Sequence, residues 1–253
     1  MNLRFGTLAL ILVTLLTSAS AVIAADSGGD PIEGARIAAE LKAMRPATNT
    51  QWTGVLKRRL ANRATIEIPV ACHIFIETNR WLSIYNSSAT TNGPAEKLVV
   101  VRYHDGRTEY LYWKAAAAEV DLPAQPARLD GAAAAKPFAG SDFLLSDLGI
   151  EFLQWPNQRL HSGEMRRGQA CFVLDSLNPK PSEGGYARVR SWIEKEHLGL
   201  LQAEAYDAAG KLLKEFAAGS FVKDANGNYQ LKDMDIRSVG AKSRTELQFD
   251  VVR

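Results

Sequence analysis

KLVVVRYHDGRTEYLYW occupies residues 97–113. Two runs rich in β-branched and aromatic residues flank His104-Asp105-Gly106-Arg107. Asp-Gly between such runs marks a tight hairpin turn, because the central residues must reach φ > 0. The stretch reads as two antiparallel strands, 97–103 and 108–113.

The same pattern continues on both sides. Upstream, 52–59 and 81–85 read as strands, and 64–77 reads as one or two more, interrupted at Pro69, which implies an edge position or a bulge. Downstream, 160–165, 169–174, 186–193, 200–206, 211–216, 229–237 and 245–251 read as strands. Arg167-Gly168, Asn178-Pro179, residues 207–210 and Asn226-Gly227 supply turns between them. Short strands separated by polar turns describe an antiparallel meander of about ten or eleven strands. A sheet that wide curls or splits.

Two segments break the pattern. Asp30-Pro31 opens a helix in which Ile32, Ala35, Ile37, Ala38, Leu41 and Met44 recur at helical spacing, and Pro46 stops it. Its apolar stripe must lie on a sheet. Residues 115–137, rich in Ala, Pro and Gly, read as a loop. After them comes GSDFLLSDLGIEFLQWPNQRL, residues 140–160. Ser141 or Asp142 suits an N-cap and Gly149 ends the first helical turns. So short a helix is not stable alone and must bury its apolar side chains elsewhere. The fold class is mainly β: a half-open, strongly curved antiparallel β-barrel with an N-terminal helix and a short helical lid.

The first residues have a different purpose. Arg4 precedes an apolar run at 8–16, and Val22-Ile23-Ala24 presents small residues to a signal peptidase. Residues 1–24 read as a signal peptide cleaved near Ala24, and 25–253 as one domain in the periplasm. Cys72 and Cys171 both fall in strand-like runs. In an oxidising compartment they are either a disulfide or two buried thiols. Their spacing matches no metal motif, and no metal or cofactor is expected. The net charge of +2 is weak and scattered, which argues against nucleic acid. No nucleophile elbow, zinc-helix motif, phosphate loop or dinucleotide fingerprint is present. His73, His104, His161 and His197 stand far apart. The chain does not read as an enzyme.

An ordered series of short motifs resembles the LolA-like family of outer-membrane lipoprotein-sorting proteins. Gly140-Ser141-Asp142-Phe143 with Asp147-Leu148 is similar to its G-(S/T)-D-F-x-x-x-D-L signature. Gly163-Glu164 with Cys171-Phe172-Val173-Leu174, then Tyr186 through Trp192-Ile193, then Glu204-Ala205-Tyr206-Asp207 with Gly210-Lys211-Leu212, follow in the family's order. The resemblance covers most of residues 140–253 and the rest loosely. It implies a half-open β-barrel whose apolar cavity shields lipid in the periplasm. It also implies an arginine on an early strand that ties the lid shut, with Arg58 or Arg59 in that place.

The expected function is therefore a periplasmic carrier for lipid or lipoprotein acyl chains, acting as a monomer and meeting envelope membrane proteins for loading or delivery. The alternatives are a lipid-sensing regulatory module of the RseB kind and an unrecognised hydrolase. Expected lining residues on the strands are Trp52, Val55, Ile66, Ile68, Ile84 and Val100, followed by Leu111, Val189 and Leu201. Phe143, Leu148 and Phe152 are expected on the lid.

Overall fold

The computed structural model describes residues 28–116, 122–130, 132–223 and 229–250. The proposed signal peptide and its cleavage site at Ala24 lie outside them. Helix α1 (Pro31–Ala43) leads into strands β1 (Thr50–Arg59), β2 (Thr65–Ile76), β3 (Arg80–Ser87), β4 (Glu96–Tyr103), β5 (Thr108–Lys114) and β6 (Ala127–Leu129). A one-turn helix α2 (Leu145–Leu148) and a 3-10 turn (Glu151–Gln154) follow. Then come β7 (Asn157–Arg166), β8 (Gln169–Leu177), β9 (Arg188–Glu194), β10 (Leu200–Tyr206) and β11 (Leu212–Ala218). The chain ends with β12 (Phe221–Lys223), β13 (Tyr229–Leu231), β14 (Asp233–Ser238) and β15 (Ser243–Phe249).

Thirteen strands form one antiparallel sheet in the order β6-β5-β4-β3-β2-β1-β15-β14-β11-β10-β9-β8-β7. β6 and β7 are its two end strands and do not pair with each other, so the sheet is curved but not closed. β12 and β13 form a separate small hairpin. The expected strand at 229–237 is thus two elements. The expected loop at 115–137 contributes β6.

Pro69 corrects a sequence expectation. β2 lies between β1 and β3 and runs through the proline without a break. The carbonyl of Pro69 accepts from Ser88 N at 3.1 Å, one residue beyond the end of β3. In an antiparallel pair the N–H and C=O of one residue face the same neighbour. The missing donor therefore points to where β3 has already stopped.

Helix α1 covers the β7 edge. Asp30 caps it, accepting from Ile32 N at 2.9 Å and Glu33 N at 3.1 Å. Asp30 and Leu160 also exchange two backbone hydrogen bonds of 2.9 Å. Gly34 permits the close approach, because a Cβ there would sit 2.5 Å from Arg159 Cα. Ile37 and Ala38 are buried, but Ile32 is 83% exposed, so the apolar stripe is narrower than its sequence period suggests.

Topology places the lid. The chain leaves β6 at one edge and must reach β7 at the other. Residues 132–156 of that crossing run over the concave face and carry the apolar segment singled out in the sequence.

Candidate functional site

The crossing segment is both core and lid. Phe138, Phe143 and Leu145 are fully buried against Leu56, Ile68, Val100 and Leu247 of the sheet. Burying such side chains contributes roughly 1.5–3 kcal/mol each. Polar straps fix the segment at intervals. Near its start, Ala139 N donates to Glu96 Oε2 at 2.7 Å, and Glu96, itself buried, pairs with Lys114 at 2.9 Å.

The central strap is Asp142. Its carboxylate accepts from Ser243 Oγ at 2.6 Å and Thr245 Oγ1 at 2.9 Å, both on β15. The Arg58 guanidinium lies 3.6 Å from Asp142 Oδ1 and donates to the Gly140 carbonyl at 2.7 Å. Strand alternation resolves the choice between the two arginines: Arg58 faces the lid, and Arg59 is exposed. Because Asp142 is recruited by β15, it does not cap α2, and neither does Ser141. The cap position is Leu144, whose N–H donates to Asp147 Oδ2 at 2.8 Å.

Beyond α2 the lid bends sharply. Ile150 adopts φ 47°, ψ 45°, a left-handed conformation that a β-branched residue takes only under strain. Arg102 donates to the Gly149 carbonyl and Tyr85 OH to the Leu148 carbonyl at 3.2 Å. The Tyr110 hydroxyl donates to Glu151. A Cβ on Gly149 would fall 2.2 Å from the Tyr110 hydroxyl. Gly149→Ala should therefore displace Tyr110, break its bond to Glu151 and cost about 1–3 kcal/mol, read as a lower urea midpoint.

Between lid and sheet lies a cavity of about 370 Å³. It falls in the 300–1,000 Å³ range of small-molecule sites, near the small end. Trp52, Ile74 and Phe249 line one end, with Phe221 and Leu231 of the small hairpin. Phe143, Leu148, Ile150 and Phe152 form its lid wall. Space exists because β10 turns Ala203 and Ala205 inward opposite Phe216 and Lys214 of β11.

Half of the expected lining residues are at the cavity: Trp52, Ile84, Phe143, Leu148, Phe152 and Val189. Ile84 borders it although alternation sets its side chain beside that of Val99, on the opposite face from Tyr85. Ile66, Ile68 and Val100 face inward but are packed beneath the lid core. Val55 and Leu111 have the wrong parity, since their neighbours Leu56, Tyr110 and Tyr112 belong to that core. Leu201 packs with Cys171, Val173 and Trp192 in a cluster apart from the one holding Ala203 and Ala205. A bulge between Leu200 and Gln202 flips it outward. The lining also includes the polar residues His73, Ser83, Asp147, Tyr186 and Lys214, which a search for apolar side chains does not single out.

Cys72 and Cys171 are free thiols. Cys72 lines the cavity from β2, while Cys171 of β8 packs with Val173, Trp192 and Leu201; six strands stand between β2 and β8 in the sheet order, and no disulfide joins the two cysteines. Burial pushes the Cys72 thiol up to about 12, which suppresses the reactive thiolate. Native protein should react with a thiol reagent only slowly at both cysteines, and urea-unfolded protein rapidly at both. Fast native labelling of Cys72 would show that the cavity is open to solutes.

Asp147 is buried beside Lys214, with Nζ 3.5 Å from Oδ2, and accepts from Tyr186 OH at 3.3 Å. Burial holds its carboxyl above the usual range, against the pull of Lys214. The native state thus keeps this proton to higher pH than the unfolded chain does. That stability is complete below the unfolded value and is lost as pH rises through the native one. Asparagine does not titrate, so the melting temperature of Asp147→Asn relative to wild type should rise from acid to neutral pH.

Residues 121–253 match the model of a family described as "uncharacterized protein". The chain belongs to that family. No curated protein matches in sequence. Solved structures share its fold. A DUF1329 family protein from Desulfovibrio piger aligns with a TM-score of 0.69 and 18% identity, over 87% of this chain and 92% of that one. A putative outer membrane lipoprotein-sorting protein domain from Vibrio parahaemolyticus aligns at 0.69 and 19%, over 88% and 93%. A LolA superfamily protein from Nitrosomonas europaea aligns at 0.55 and 15%, over 88% and 92%. The family member described here therefore has the LolA-like fold its motifs implied.

Proposed function

We propose that this protein is a carrier for lipid or lipoprotein acyl chains that works in the periplasm after removal of residues 1–24. Residues 25–253 act as one domain, as a monomer, and no bond is made or broken. The observation that carries this reading is the apolar cavity under a strapped lid. A chain buried there gains roughly 0.8 kcal/mol per CH₂ removed from water. The shared fold with lipoprotein-sorting proteins supports the same reading. Delivery to the outer membrane and exchange with envelope membrane proteins follow from it.

The test is purification of the secreted form without detergent, followed by native mass spectrometry and titration with a fluorescent fatty acid. Lipid retained at a fixed stoichiometry, or saturable probe uptake, is the expected result. Protein that arrives empty and takes up no probe would end the proposal.

A further inference from the structure

Strand β11 sets Lys214, Phe216 and Ala218 in one row along the cavity. Ala218 stands toward the end lined by Trp52, and Lys214 lies against the lid. Four residue steps at ~3.3 Å separate them by about 13 Å, the span of a hydrocarbon tail rather than of a small head alone. Among the described lining residues Lys214 is the one lysine or arginine, and its side chain is only 14% exposed. A purely hydrocarbon site gains nothing from a buried cation, whose desolvation is costly.

The partners of Lys214 leave it available. Nζ donates to the Asp142 carbonyl. Its 3.5 Å separation from Asp147 Oδ2 is looser than the ~2.7–2.9 Å of a tight charge-assisted bond. Tyr186 brings its ring to 5.9 Å and its hydroxyl to the same carboxylate. Asp147, Tyr186 and Lys214 also border a second cleft of about 660 Å³, so they form a polar partition between it and the apolar cavity.

We infer that the cavity takes a single-chain amphiphile with an anionic oxygen head, carboxylate or phosphate. The head pairs with Lys214 Nζ and the Tyr186 hydroxyl at the lid end, and the tail runs along Phe216 and Ala218. This rests on the acyl-binding reading and adds the class of ligand. Asp147 is the obstacle, as a like charge beside the head. Burial already raises its carboxyl, so it takes up a proton as the second anion enters and then donates to it. The other carboxylates nearby are engaged, Glu151 by Tyr110 and Asp142 by Arg58, Ser243 and Thr245.

The experiment compares cis-parinaric acid with its methyl ester by fluorescence titration. Wild type should bind the acid at least about tenfold tighter. The paired variant Lys214→Met/Asp147→Leu, which leaves no buried charge unmatched, should lose that preference and keep ester binding. Dodecanoate and dodecyl phosphate as competitors separate the two heads: displacement by both, or by either one alone, supports the proposal and names the head. Equal binding of acid and ester by wild type overturns the head site while leaving the acyl-chain reading intact. A preference that survives in the paired variant also overturns it. Failure of both probes to bind wild type overturns both readings together.

Discussion

Replacing Asp142 with alanine is expected to lower the unfolding free energy by about 2–4 kcal/mol. Breaking a buried ion pair costs about 3–5 kcal/mol because a charge is left unmatched. Arg58 retains 26% side-chain exposure and a bond to Gly140, which trims that figure. Ser243 and Thr245, both buried, lose their acceptor as well, at about 1–3 kcal/mol for an orphaned polar group. These terms overlap and do not add. Asparagine at 142 keeps one oxygen acceptor and should cost less than half as much. Urea unfolding of both variants gives the comparison. A loss below about 1 kcal/mol for Asp142→Ala would mean that the lid is held by Phe138, Phe143 and Leu145 alone, without its polar straps.

Period and turn chemistry made the sheet legible. The Asp105-Gly106 turn joins β4 to β5 where expected, and the meander pattern gave most strands within a few residues. The crossing of the lid was not legible, because strand order is set by pairing between distant segments. Nothing local says that β1 joins β15 at the centre of the sheet. The lining failed for a related reason. Trp52 and Val55 stand an odd number of residues apart, so one regular strand cannot send both inward. Leu201 was lost to a bulge that no residue type in the stretch announces. Ile68 and Val100 point the right way, but whether an inward residue meets a void or a packed lid depends on side chains from another part of the chain.

The cavity itself depends on small residues, and this is its weakest point. Apolar lists drawn from sequence favour Trp, Phe and Leu, yet the volume here exists because alanine occupies inward positions 203 and 205 on β10. Ala203 is 3% exposed and faces Phe216 across the β10–β11 pair. A phenylalanine ring at 203 would project into the slot that a tail would use. It enters existing space, so the penalty to folding should stay at or below the ~1–3 kcal/mol of overpacking. Binding of a fatty-acid probe should fall by about 100-fold or more, which is roughly 2.7 kcal/mol. Ala217→Phe adds the same ring on the opposite face of β11, where Ala217 borders the outer groove with Glu215 and Arg237. It should leave the probe's affinity unchanged. If Ala203→Phe folds and still binds as wild type does, the tail lies elsewhere and the cavity is packing rather than a site. If both variants lose binding equally, the loss comes from disturbance of the sheet and not from occupation of the slot.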